Sequence, residues 1–310
     1  MIGYKRVHVS GISKAFYSNN VPSSVARAQI HCINDLTTEN FRKQAFLPGL
    51  PCVFTKSQFV TPASSLWFRP SGRASGGTGS IMNVPYLDQY GQTMVPLELT
   101  TFVSATTDSL PTMPIVKSFE RFEAPLAAFL EHNVKCCGTS RDSVAQLYLA
   151  QCPIAALHPK MQSEVPTPDL VLKSGKGDVY DSNIWIGNAP TYTPLHKDPN
   201  PNLFVQLTGT KIVRLCAPTV GAEVFRGIQR QIGINDSSAS MRGEEMMFGD
   251  ERALLEDMVW NDEGAAAMTS KVMLETTLGA GDGLFIPKGW WHSVKGVGHG
   301  MTGSVNWWFR

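Results

Sequence analysis

The chain has 310 residues, 43% hydrophobic and 17% charged, enough apolar material for one sizeable core. A formal net charge of +1 leaves the average surface neither strongly attracting nor strongly repelling nucleic acid. No apolar run approaches the ~20 residues needed to span a bilayer, which argues against a membrane protein.

Cys32, Cys52, Cys136, Cys137, Cys152 and Cys216 include no Cys-x-x-Cys pair. Buried free thiols in a reducing compartment are therefore expected, with the cytoplasm or nucleus as the location. The start of the chain holds Lys5, Arg6, Lys14 and Arg27, five serines and no acid before Asp35. That composition resembles a mitochondrial transit segment, which makes the mitochondrion the alternative. We set residues 1–35 apart as an N-terminal segment and read 36–310 as one domain, with a helical buttress over 36–180 and a β core over 181–310.

Asp35 and Glu39 mark a helix start, Phe41, Ala45 and Phe46 its apolar stripe, and Pro48 and Pro51 its end. A short strand follows over Pro51–Phe54. Residues Pro70–Ser80 form a glycine-rich loop without the Gly-Lys-Ser/Thr ending of a phosphate cradle. Phe119–His132 carries Phe122, Leu126, Phe129 and Leu130 at helical spacing, predicting an amphipathic helix kinked at Pro125.

From Asn183 the texture becomes short strands. Asn183–Ile186 is the first, and Leu203–Leu207 and Lys211–Leu215 read as a hairpin turning at Thr208-Gly209-Thr210. Thr276–Leu278, Gly283–Ile286, His292–Val294 and Ser304–Phe309 continue the series. Thr219–Ser270 is polar and acidic, and reads as a long surface loop that, with the glycine-rich loop, shapes substrate access.

His196-Lys197-Asp198 would lie on a strand, where residues two apart share a face. His292, in the run Gly289-Trp290-Trp291-His292, would come from a distant strand. Two imidazoles and one carboxylate on one face of a metal, with the opposite positions open, are the ligand set of non-haem Fe(II) oxygenases. Lys197 must point away. Lys211 shares its strand side with Val213 and Leu215, so it either turns inward and needs an anion or reaches solvent from a hairpin end. Trp185 could line the substrate mouth, although core packing is the favoured reading. His8, His31, His132, His158 and His299 lack a ligand-like setting.

Thr193-Pro194-Leu195-His196-Lys197-Asp198-Pro199, Asn202-Leu203, Gly209-Thr210-Lys211 and Arg214-Leu215 resemble the core of the JmjC and cupin-like 2-oxoglutarate oxygenases. Leu278 to Pro287, Gly289 to His292 and Ser304 to Trp308 are similar to that family's closing strands, and Tyr148-Leu149-Ala150-Gln151 and Val95-Pro96-Leu97-Glu98 to upstream segments. The resemblance implies a mainly β fold with flanking helices, a double-stranded β-helix of the jelly-roll or cupin type. It implies Fe(II) on His196, Asp198 and His292, with 2-oxoglutarate as co-substrate and dioxygen as oxidant. It implies that Lys211, Thr193 and Tyr148 hold the distal carboxylate of 2-oxoglutarate. Asn202 would lie near the chelating end, and Asn306 matches a position used similarly in an asparaginyl hydroxylase of the family. Aspartate in the triad and the lack of a zinc-binding cysteine set favour hydroxylation of a protein or peptide side chain. A small molecule or an RNA base is the second substrate class, methyl-lysine demethylation the third outcome, and a non-catalytic binding module the non-enzymatic rival.

Overall fold

A computed structural model describes residues 28–55, 57–72, 79–102, 116–136, 145–233, 247–261 and 273–310. In chain order the strands are β1 (Ala28–Gln29), β2 (His31–Cys32), β3 (Cys52–Phe54), β4 (Phe68–Pro70), β5 (Ser80–Met82), β6 (Met94–Phe102), β7 (Val116–Pro125) and β8 (Ala145–Pro153). They continue with β9 (Val179–Asn188), β10 (Thr191–Lys197), β11 (Asn202–Thr208), β12 (Thr210–Cys216), β13 (Leu274–Leu278), β14 (Gly283–Ile286), β15 (Trp291–Val297) and β16 (Met301–Phe309). The helices are α1 (Thr38–Phe41, extended by a π turn over Arg42–Phe46), α2 (Pro62–Leu66), α3 (Val84–Leu87) and α4 (Leu126–Cys136). After them come α5 (Pro159–Ser163), α6 (Asp169–Ser174), α7 (Pro218–Gln231) and α8 (Gly249–Trp260).

Strands β9, β11, β14 and β16 lie in the order β14-β11-β16-β9 within one sheet, and β10, β12, β13 and β15 in the order β13-β12-β15-β10 within another. The chain thus crosses repeatedly from sheet to sheet, giving the expected double-stranded β-helix. Alternation along the strands then sorts side chains into layers. Phe204, Val213, Leu215, Leu284 and Val294 form a cluster between the sheets. Leu203, Val205, Trp307 and Phe309 join Phe41 and Trp67 on the far side of the larger sheet. Leu195 and Trp291 pack under Val224, Phe225 and Ile228 of α7 and Leu255 and Val259 of α8.

Five expectations change. The hairpin does not form: β11 pairs with β14 and β16, while β12 pairs with β13 and β15. Gly209, at φ +66°, carries the chain between sheets, and a Cβ there would lie 2.5 Å from the Met301 carbonyl oxygen. A strand–turn–strand signal is the same for a hairpin and a crossover. Full burial of β11 on both faces marks it as a central strand instead.

The helix expected over Phe119–His132 is half strand. Residues up to Pro125 belong to β7, and α4 begins at Leu126. Proline biases Ala124 toward extended backbone and is tolerated at an element boundary, so Pro125 ends a strand and kinks nothing. The acidic stretch contains α7 and α8, because Val224, Phe225 and Ile228 supply a helical apolar stripe. Residues 234–246 and 262–270 of that stretch, like 73–78 of the glycine-rich loop, lie outside the described residues.

The fourth change concerns the N-terminal half. Residues 36–180 contribute strands β3 to β8 as well as helices, and β8, β6 and β7 extend the larger sheet beyond β9. β1 and β2, from the segment set apart, pair in parallel with β13 and β3. Asp35 accepts hydrogen bonds from the backbone and hydroxyl of Thr37 at 3.0 Å each, just ahead of α1 and not as its cap.

Candidate metal centre

β10 and β15 are antiparallel neighbours whose register sets His196 opposite His292. Their ring centroids are 4.2 Å apart. Asp198 follows just beyond β10, with carboxylate oxygens 3.9 Å from His196 Nε2 and 3.5 Å from His292 Nε2. All three side chains are buried, and one potential ligand atom from each lies within 4.8 Å of the others. Lys197 turns the other way, its ammonium 5.7 Å from the Trp291 ring centroid.

Hydrogen bonds select the tautomers. His196 Nδ1 lies 2.8 Å from the Pro194 carbonyl and His292 Nδ1 3.3 Å from that of Trp290. Each Nδ1–H therefore donates to backbone and leaves the Nε2 lone pair for the centre. Burial, reinforced by neighbouring His196, pulls His292 down to about 4, so this ring is neutral near pH 7. Asn202 Nδ2 donates to Asp198 Oδ2 at 2.8 Å. Asp198 Oδ1 is buried without a hydrogen-bond partner. Two imidazole lone pairs and an unpaired carboxylate oxygen fit a divalent transition metal such as Fe(II).

Lys211 enters the same interior from β12. It is 2% exposed, donates to Ser304 Oγ at 2.6 Å and Tyr148 Oη at 3.4 Å, and sits 5.3 Å from the Phe204 ring centroid. The inward alternative holds, but no carboxylate among the described residues neutralises it. Burial lowers its pKa to about 7. Burial also pushes the Tyr148 hydroxyl upward, with Glu98 adding to the rise. Gly187 lies against Tyr148, and a Cβ there would approach the phenol ring to 2.2 Å.

A cleft reaches this end of the interior, lined by Tyr148, Thr193, Trp185, Glu98 and Gln146. Its walls do not include the triad. Trp185 is half-buried in the cleft wall, not simply packed in the core, and donates to Asn306 Oδ1 at 2.7 Å. Asn306 Nδ2 is buried without a partner. Sequence reasoning missed Ser304, although it lies two residues from Asn306 and so shares its face.

His31 bonds Gln44, and His158 accepts the Lys160 N–H at the start of α5, both away from the triad. His8 lies outside the described residues. Cys32, Cys52, Cys152 and Cys216 are free thiols. Among the described residues no helix is long and apolar enough to cross a membrane.

The model of a family described as "Cupin-like domain" matches residues 39–310. The chain belongs to the cupin-like family, of JmjC type. This cupin-like chain is 26% identical over 275 residues to Lysine-specific demethylase JMJ30 of Arabidopsis thaliana, a match covering 88% of it and 53% of the relative. Lysine-specific demethylase JMJ31 of the same plant is 25% identical over 306 residues, covering 89% and 49%. Lysine-specific demethylase 8 of Danio rerio is 29% identical over 175 residues, covering 56% and 37%. The chain thus spans about half the length of the two plant relatives, and less of the fish protein. JmjC proteins use Fe(II) and 2-oxoglutarate, and the triad could bind the iron.

Proposed function

We propose that this cupin-like domain is an Fe(II)- and 2-oxoglutarate-dependent dioxygenase that hydroxylates a protein side chain. The carrying observation is a buried His-Asp-His set sharing one interior with a buried lysine that has no acidic partner among the described residues. In this reading His196, Asp198 and His292 hold the metal. Lys211, assisted by Tyr148 and Thr193, receives the distal carboxylate of 2-oxoglutarate. Asn306 offers a free N–H toward the chelating end, while Asn202 serves the iron through Asp198.

Bound iron and 2-oxoglutarate would couple dioxygen to decarboxylation, releasing succinate and carbon dioxide as a substrate C–H becomes C–OH. The protein's part is to neutralise, orient and exclude water. Lys211 supplies charge in a dry setting where a carboxylate partner is strongly favoured. The two Nδ1–H donors keep both rings aimed at the metal. A protein substrate agrees with relatives named for action on lysine, and with it we place the protein in the nucleus or cytoplasm, the mitochondrion being the alternative.

The test is incubation with Fe(II), ascorbate and labelled 2-oxoglutarate. Succinate above the metal-free blank is expected, and its loss in Lys211→Ala. Calorimetry showing uptake of neither a divalent cation nor 2-oxoglutarate would overturn the assignment. The relatives' names favour demethylation as a second reading, in which hydroxylation of an N-methyl group releases formaldehyde. Peptide libraries separate the two: a stable gain of one oxygen supports hydroxylation, and formaldehyde from methyl-lysine peptides supports demethylation. Turnover of only small molecules or RNA bases would rule out both protein readings.

A further inference from the structure

The pairing of β10 with β15 is not regular. Thr191, Tyr192 and Thr193 face Gly296, Lys295 and Val294 in turn, but His196 and Lys197 face His292 and Trp291. Pro194 and Leu195 together therefore oppose the single residue Ser293, which defines a β-bulge. In an unbroken strand Thr193 and His196, three positions apart, would point to opposite faces. The bulge lets Thr193 line the cleft while His196 meets His292.

A bulge frees backbone groups that must find other partners when buried. Pro194 has no N–H to satisfy, and its carbonyl accepts His196 Nδ1. The Thr193 carbonyl is answered by the hydroxyl of fully buried Ser293, at 2.8 Å. That hydroxyl in turn accepts the indole N–H of Trp260, the last residue of α8, at 2.9 Å. The Trp260 ring lies 4.4 Å from the Arg214 guanidinium and 4.9 Å from the Lys295 ammonium. Arg214 also donates to the Val259 carbonyl at 2.6 Å, and Lys295 pairs with Glu256 at 2.9 Å. Trp260 is thus held by cations from β12 and β15, with its donor fixed on Ser293.

We propose that Ser293 and Trp260 are positioning residues for the metal centre, setting the bulge that places His196 against His292. The α8 helix thereby fixes ligand geometry from outside the barrel, without touching the metal. This rests on the reading of the triad as a metal site.

The experiment titrates Co(II) into the whole chain and reads affinity and the visible d–d spectrum. Wild type is compared with Ser293→Ala, Trp260→Phe and Val259→Ala. Phenylalanine keeps a ring beside the two cations but lacks the donor, and Val259→Ala loosens α8 without removing either hydrogen bond. We expect roughly tenfold weaker binding and a changed spectrum in the first two variants, with both properties retained by Val259→Ala despite lower thermal stability. Should Ser293→Ala fail to fold, Trp260→Phe carries the comparison. Wild-type affinity and spectrum in a folded Ser293→Ala or Trp260→Phe would overturn the proposal, as would equal loss in Val259→Ala. Failure of wild type to bind Co(II) would instead overturn the metal assignment.

Discussion

The ammonium of Lys211 rests on the hydroxyl of Ser304 at 2.6 Å, with no acidic side chain paired to it among the described residues. A hydroxyl accepts one hydrogen bond from the ammonium but cannot neutralise it, so an anionic ligand gains an unusually favourable partner.

Because burial brings Lys211 to about 7, binding of 2-oxoglutarate should depend on pH. Only the ammonium attracts the carboxylate. Above pH 7 the free protein is largely neutral there and must take up a proton on binding. Apparent affinity should therefore fall as pH rises through 7, by up to about tenfold per pH unit. Calorimetry in buffers of different ionisation enthalpy should also detect proton uptake. A flat profile from pH 6.5 to 8.5 would contradict this.

Lys211→Met should separate stability from function. Without co-substrate it removes an uncompensated buried cation, and should stabilise the fold by about 1–3 kcal/mol, seen as a higher melting temperature at pH 6. The same variant should lose 2-oxoglutarate binding about a hundredfold while keeping metal affinity. Equal loss of both ligands would mean that the two ends of the interior are not separate.

Gly187→Ala should damage the lysine end from a neighbouring strand. Its Cβ would lie 2.2 Å from the Tyr148 ring, so the phenol must move. We expect destabilisation of about 1–3 kcal/mol and weaker 2-oxoglutarate binding, with the metal spectrum intact. Unchanged co-substrate affinity would remove Tyr148 from that subsite.

Metal should raise thermal stability by mass action, by about 2.7 kcal/mol at a hundred times the dissociation constant. Chelation should reverse the gain. Asp198→Ala should abolish the response, and Asn202→Ala should weaken metal binding about tenfold through loss of its hydrogen bond to Asp198. A full metal-induced shift in Asp198→Ala would contradict the assignment.

The triad was legible through its surroundings: a His-x-Asp pair and a histidine after two tryptophans are each weak signals, and the family resemblance of the flanking strands singled them out. Lys211 was legible as one of two alternatives through its alternation with Val213 and Leu215. Strand positions carried over well for the same reason. Strand partners did not, since the Gly209 turn looks identical whether the chain pairs back or crosses to the other sheet. The bulge had one overlooked signal: Thr193 and His196 were both assigned inward although their spacing forbids it in a regular strand. Ser293 and Trp260 had none, because a serine and a tryptophan distant in sequence reveal their contact only in three dimensions. The acidic composition of the stretch holding α7 and α8 hid an apolar stripe that burial made decisive.

The repeated crossing of the chain between the two sheets has a consequence for biogenesis. β10 cannot meet β15 until the intervening strands and both covering helices have been synthesised. A nascent polypeptide that stops short of β15 therefore presents one imidazole and one carboxylate, a weak chelator, and the second imidazole arrives later. Metal uptake by the complete triad would thus be a late event, gated by completion of long-range topology.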